Sequence, residues 1–246
     1  MGTAIVVTSG KGGTGKTTLT AGISSCLAAL GRRVLCVDLD IGLRNLDLSL
    51  GMSDRAMMDF SDVVEGRCSL KRGAVEHPDI RGLFLLTAPL YLPPERISAR
   101  QMAQFLSQAK EEFDYILVDS PAGTGSGFRL AAAGADRAVV VTTNDPSALR
   151  DAQRAVAELS RTLSDIHLIM NRIQPRLLRK LHTTIDDAMD TAGLPLLGVV
   201  PEDSKVALAL GTGQPLVLTT GKGASLACLN IARRIEGQRI PLMKIR

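Results

Sequence analysis

The segment Gly10-Lys11-Gly12-Gly13-Thr14-Gly15-Lys16-Thr17 limits what this chain can fold into more than any other. It follows the apolar run Ala4–Val7. It precedes a stretch in which Leu19, Ile23, Cys26, Leu27 and Leu30 recur at helical spacing until Gly31. A glycine-rich turn in the order G-x-x-x-x-G-K-[ST], between a strand and a helix, is a phosphate cradle. Its glycines let the backbone turn tightly enough for N–H groups to converge on a β-phosphate, and the helix beginning near Lys16 adds its positive end. On this reading Gly10, Gly12, Gly13, Thr14, Gly15 and Thr18 surround the phosphates, Lys16 reaches the β- and γ-phosphates, and the Thr17 hydroxyl ligates Mg²⁺. Lys11 is an extra cation on the outer side of a loop whose own γ-phosphate Lys16 already serves.

Two acidic segments end other apolar runs. Val34–Val37 leads into Asp38-Leu39-Asp40, and a period of two aims both carboxylates to one side. Tyr115–Val118 leads into Asp119-Ser120-Pro121-Ala122-Gly123. Ligands bind at the carboxyl ends of strands in open α/β sheets. Asp119 is therefore expected to hold Mg²⁺ through water, and Asp38 or Asp40 to orient the attacking water, with Asp38 also a candidate for the metal site.

Further strands are expected at 83–86, 138–141, 166–170 and 196–200, and helices at 97–112, 147–163, 176–189 and 222–235. This alternation implies an α/β fold, a doubly wound, mostly parallel sheet with helices on both faces. One P-loop domain is expected over 1–236, followed by a short basic tail, 237–246. Apolar runs are too short to span a bilayer, and the first residues lack the basic region of a signal peptide. A cytoplasmic protein is expected. Cys26, Cys36, Cys68 and Cys228 form no CxxC pair, and His77, His167 and His182 show no metal-ligand spacing. With two tyrosines and no tryptophan, a base-stacking platform is not expected.

The net charge of +4 comes from 29 basic and 25 acidic residues. Arg233, Arg234, Arg239, Lys244 and Arg246 face only Glu236 beyond residue 226, so the remainder is neutral and the excess belongs to the C-terminus. There, Ile240, Leu242, Met243 and Ile245 stand beside Lys244 and two arginines. The tail is expected to touch an anionic membrane surface from the cytoplasmic side, weakly when single and by avidity when paired.

The run Lys11–Thr18 resembles the deviant Walker A ATPases of the ParA/MinD group. Asp38-Leu39-Asp40-Ile41-Gly42-Leu43-Arg44-Asn45-Leu46-Asp47-Leu48 narrows the resemblance to the MinD branch, the cell-division ATPases. It continues through Asp119–Gly123, Thr143-Asn144, Arg150-Asp151, Asn171-Arg172 and Gly198–Asp203. The resemblance implies ATP/ADP and Mg²⁺ as cofactors and an ATP-dependent homodimer in which Lys11 crosses the interface and Asp40 helps activate water. By matching position, Asn171, Arg172, Pro201, Glu202 and Asp203 face adenine. Asn45 and Asp151 lie where division-inhibiting and ATPase-activating partners bind in that group. Gln153 departs from the pattern, standing where an acid of the partner-binding helix is expected, and so does the shortness of the tail.

A ParA-type DNA-partition ATPase is the main alternative, because Arg172, Arg176, Arg179 and Lys180 cluster. Asp186, Asp187 and Asp190 follow on the same expected helix, so DNA is not the expected partner. A flagellar-number regulator of the MinD-like group would differ chiefly in partner. Absent cysteine pairs disfavour an iron–sulfur scaffold, and a tail without tyrosine disfavours a bacterial tyrosine kinase.

Overall fold

The computed structural model describes residues 1–243 except 54, 94 and 220. Strand β1 (Thr3–Thr8) runs into the glycine loop and then α1 (Lys16–Ala29). β2 (Val34–Asp38) is followed by three short helices, α2 (Leu46–Leu50), α3 (Phe60–Val64) and α4 (Leu70–Gly73). Next come β3 (Val75–Glu76), β4 (Leu83–Leu86), α5 (Ala99–Glu112), β5 (Tyr115–Asp119) and α6 (Ser126–Ala132). β6 (Arg137–Thr142), α7 (Pro146–Leu159), β7 (Ile166–Ile173), α8 (Pro175–Leu181) and α9 (Ile185–Ala192) follow. The chain closes with β8 (Leu196–Pro201), α10 (Ser204–Thr212), α11 (Leu216–Thr219) and α12 (Gly223–Ile235).

The strands form one sheet in the order β3-β4-β2-β5-β1-β6-β7-β8. Every pairing is parallel except the two-residue β3–β4 ladder at the edge. The sheet is buried on both faces, which is why its strands read as continuous apolar runs. Side chains alternate across it: Ala4 and Val6 join a core with Phe105, Phe128 and Leu159, while Ile5 and Val7 join one with Leu19, Leu27 and Ile231. Helix α1 packs on the second face beside α12, which itself covers β8, and α1 is buried almost all round.

One expectation changes. The helix expected over 176–189 is two helices, because His182 takes the left-handed conformation (φ 50°) and Thr184 starts α9 with a capping box to Asp187. The basic cluster on α8 and the acids on α9 therefore do not share a helix. Residues 237–243 of the tail lie against the body. Gly237 (φ 82°) ends α12, and the chain then turns back. The Arg234 guanidinium, already donating to the Leu197 carbonyl at 2.9 Å, donates to the Ile240 carbonyl at 3.0 Å and to that of Pro241 at 2.8 Å. Met243 packs against the second core and Leu242 is exposed. Lys244 and Ile245 lie outside the described residues. Among the described residues, no helix is long and apolar enough to cross a membrane.

Candidate nucleotide site

Strand register brings the acids together. Asp38 and Asp119 are direct neighbours across the β2–β5 ladder, and Val7, two residues before Ser9, pairs with Asp119 across β1–β5. The turn after β5 is tied to the glycine loop, with Ser120 N–H donating to the Val7 carbonyl and Gly123 N–H to that of Ser9. Gly13 (φ 80°) and Gly15 (φ 87°) supply the left-handed turns that let α1 begin at Lys16.

The buried Lys16 ammonium donates to Asp119 Oδ1 at 2.8 Å and to Thr17 Oγ1 at 3.3 Å. Thr20, which sequence reasoning passed over, donates its hydroxyl to the same Asp119 oxygen at 3.1 Å. It lies one turn beyond Lys16 on the same helix face, and that spacing is the only signal for it. Asp119 Oδ2 is buried with no hydrogen-bond partner among the described residues. Lys16 contacts both the Thr17 hydroxyl and Asp119, and a hydroxyl with an unpartnered carboxylate oxygen in this neighbourhood suits a hydrated divalent cation whose remaining ligands are phosphate oxygens. Among the described residues, no group of three or more His, Cys, Asp or Glu side chains is placed to hold a metal without them.

Asp38 and Asp40 divide their roles. Asp38 is fully buried, and its two oxygens accept the backbone N–H groups of Asp40 at 2.9 Å and Leu46 at 3.2 Å. It staples the 40–46 loop rather than facing the cleft. Burial, and next the charge of Asp119, push its carboxyl up to about 7. Asp40 borders the cleft with Thr17 and Thr18, and burial raises its pKa, opposed by Lys16. Of the two acids, Asp40 is the one that lines the cleft.

That cleft, about 560 Å³, lies between the glycine loop and the 40–49 segment, with Asn45 exposed on its rim. Beyond Gly13 and Gly15 it continues as a pocket of about 260 Å³ walled by Asn171, Pro201, Asp203, Val206 and Leu216. The Asn171 amide donates to the Thr14 carbonyl at 2.7 Å, holding the loop from the pocket side. Arg172 (φ 56°) leaves the β7 ladder at a register shift, and its guanidinium pairs with Glu202 at 2.8 Å on the outer rim. Asp203 caps two helices: Oδ1 accepts from Lys205 N–H of α10, and Oδ2 from Ala224 N–H of α12, each at 3.0 Å. A depression of about 690 Å³ at the other end of the sheet, lined by Met1, Lys110, Glu111 and Asp114, has the mixed charge of ordinary surface.

Lys11 and Asp151 lie on the outer side of the loop. Lys11 is half-exposed and directed at α7, whose residue Asp151 is half-buried and pairs with Arg154 at 3.2 Å. Gln153 is exposed, and its amide donates to the Thr191 carbonyl. Asn45 and Asp151 therefore flank the loop from opposite sides and do not converge.

A parallel sheet, a glycine loop opening a helix at a buried lysine, and acids at the neighbouring strand ends define a P-loop nucleotide-binding protein. Residues 5–216 match the model of the CobQ/CobB/MinD/ParA nucleotide-binding domain. The septum site-determining protein MinD of Synechocystis is 42% identical over 242 residues, covering 97% of this chain and 91% of that protein. The fold matches MinD in the Aquifex aeolicus MinC:MinD cell division complex with a TM-score of 0.91 and 38% identity, over 98% of this chain and 99% of that one. It matches Pyrococcus horikoshii MinD complexed with Mg-ADP with a TM-score of 0.82 and 30% identity, over 96% of each chain. The chain belongs to the CobQ/CobB/MinD/ParA family, and within it to the MinD septum site-determining proteins.

Proposed function

We propose that this chain is an ATPase that regulates division-site placement by alternating between an ADP-bound monomer and an ATP-bound homodimer. The observation that carries this reading is the placement of two loop lysines on opposite sides of one phosphate cradle. Lys16 is buried against Asp119 and lines the cleft, whereas Lys11 is half-exposed against Asp145 and does not line it. A cation so placed serves a second chain, and a site completed only by a second chain makes hydrolysis conditional on assembly.

On binding, the triphosphate takes the loop N–H groups and Lys16, and adenine enters the pocket bounded by Asn171, Pro201 and Asp203. Mg²⁺ held by Thr17, with Asp119 behind it through water, would neutralise charge on the phosphate oxygens. Asp40 accepts a hydrogen bond from the attacking water and orients it toward the γ-phosphate. Asp38 acts through the loop, fixing the backbone of Asp40 and Leu46. Asn45 and Asp151 carry partner contacts on either side of the loop. One partner is a division inhibitor of the MinC kind, and an activating partner speeds an otherwise slow hydrolysis.

Peripheral membrane attachment through 240–246 is part of the same reading, and it requires Ile240 and Met243 to leave the body. Two tails on one dimer would make it ATP-dependent by avidity. Light scattering tests the central claim: dimers are expected with ATP and Mg²⁺, monomers with ADP, and weakened dimerisation in Lys11→Ala that still binds nucleotide. A chain that stays monomeric in ATP at high concentration refutes it.

A further inference from the structure

Asp38 and Asp119 face each other across the β2–β5 ladder, both fully buried, and they are held in different ways. The Asp38 oxygens rest on backbone N–H groups. Among the described residues, the donors to the Asp119 carboxylate are two side chains of α1 spaced one turn apart. Lys16 and Thr20 both reach Oδ1, at 2.8 and 3.1 Å, and Oδ2 receives neither. The carboxylate is therefore oriented through one oxygen, which leaves the other as an acceptor without a donor.

The two donors differ in what else they can do. Lys16 lines the cleft, so phosphate oxygens compete with Asp119 for its ammonium once a nucleotide is bound. Thr20 is fully buried and does not line the cleft. Its hydroxyl has a single proton and two acceptors within reach, Asp119 Oδ1 and the Lys16 carbonyl one turn back at 3.0 Å. Of these, the carboxylate is the stronger acceptor because it carries the charge. The χ1 wells open to a helical threonine include the one that sets its hydroxyl against the i−4 carbonyl. That well also holds the Thr20 oxygen beside Asp119, before any nucleotide arrives.

We propose that Thr20 is a positioning residue for Asp119. When Lys16 turns to the phosphates, the Thr20 hydroxyl keeps Oδ1 occupied and so keeps Oδ2 as the oxygen offered to the water shell of Mg²⁺. The proposal rests on, and deepens, the reading in which Asp119 backs the metal through water. A carboxylate fixed at one oxygen presents the other in a single orientation, whereas one without that donor must be ordered each time the metal binds. Outer groups that orient a metal site typically change metal affinity by about 10–100-fold when removed. Thr20 has no route to the nucleotide itself, so its effect belongs to the metal alone.

Thr20→Val exchanges the hydroxyl for a methyl of similar size. Affinity for a fluorescent ADP analogue is titrated in EDTA and then at rising free Mg²⁺. In EDTA the variant is expected to bind as wild type does. The Mg²⁺ concentration at half-maximal gain in affinity is expected to rise roughly tenfold. Thr20→Ser, which keeps the donor, is expected to restore the wild-type Mg²⁺ dependence. If Thr20→Val does not fold, Thr20→Ala is read in the same way. A loss of affinity equal in EDTA and in Mg²⁺ overturns the proposal, as does a Thr20→Ser as impaired as Thr20→Val, because either assigns the effect to packing. Asp119→Asn in the same titration separates this proposal from the reading beneath it. If Asp119→Asn shifts the Mg²⁺ dependence and Thr20→Val does not, Thr20 has no positioning role. If neither shifts it, the metal reading of Asp119 has failed and the proposal falls with it.

Discussion

Lys16 and Asp119, 103 residues apart in sequence, form a buried ion pair at 2.8 Å beneath the glycine loop. The pair joins the first turn of α1 to the end of β5, so the lysine of the glycine loop is braced by a strand-end acid. Removing one partner of such a pair leaves a buried charge uncompensated, which costs about 3–5 kcal/mol. Asp119→Ala is therefore expected to lower the melting temperature by several degrees in nucleotide-free buffer with EDTA. ADP under the same conditions should recover part of the loss, because its phosphates supply the missing negative charge to Lys16. A variant as stable as wild type without nucleotide would show that the pair contributes nothing to the fold.

Asp38 gives the protein a pH dependence of definite sign. Its carboxyl titrates near 7 in the folded chain, against about 3.9 when unfolded. Between about pH 4 and 7 the folded state holds a proton that the unfolded state has released, so stability falls as pH rises and the penalty is complete above 7. Asp40 is shifted in the same direction. Asp38→Asn is expected to flatten, though not abolish, the decline in urea midpoint from pH 5 to 8 in EDTA, gaining most on wild type at pH 8. Parallel slopes for the two proteins would exclude Asp38 as the source.

Asp203 has structural work that its position in the Pro201–Asp203 run conceals. Each of its oxygens caps a different helix, and Gly223 (φ 59°) is placed so that a Cβ there would come within 2.1 Å of Oδ2. Loss of one side-chain cap typically costs about 0.5–2 kcal/mol. Asp203→Ala, losing two, is expected to cost roughly 1–4 kcal/mol and to weaken ADP binding by loosening α10 and α12 around the base pocket. Asp203→Asn keeps one acceptor oxygen and turns an amide NH2 toward the other N–H, so it should keep no more than one of the two caps, as chemical denaturation and nucleotide titration would read.

The Arg234 clasp is expected to protect the returning chain. Hydrogen bonds from a charged donor are worth about 1.5–3 kcal/mol each, and two of the three made by Arg234 hold the Ile240 and Pro241 carbonyls. Arg234→Gln should raise amide exchange at Leu242 and Met243 by roughly tenfold or more, with the sheet unaffected. Unchanged exchange would mean that the packing of Met243 alone holds the segment.

Much of the site is legible locally. The cradle and its flanking strand and helix are contiguous in sequence, and their chemistry follows from residue order. The strand-end acids are legible because a fully buried parallel strand is uniformly apolar, so its first carboxylate marks its end. The break between α8 and α9 is carried by Thr184 and Asp187, a capping box that helical periodicity alone obscures. The two-residue β3 is too short to register as a pattern. The docking of 240–243 depends on one guanidinium meeting carbonyls from β8 and from its own downstream chain, and backbone carbonyls leave no trace in residue identity.

The sequence by itself determined the fold class, the phosphate loop and the set of acids around it, because strand period, glycine spacing and strand ends are short-range properties. Only the tertiary structure decided where each acid sits. Asp38 and Asp40 are two residues apart and chemically identical, yet one is buried against Asp119 and spends its oxygens on backbone N–H groups while the other faces the cleft. Likewise, Lys11 and Lys16 share one loop. The β2–β5–β1 register and the seat of α7 on Gly10 send one lysine inward to Asp119 and hold the other outside on Ser147. The reason is that burial and partner choice are set by what the fold brings alongside from far along the chain, 81 residues for Asp38 and Asp119 and 136 for Lys11 and Ser147.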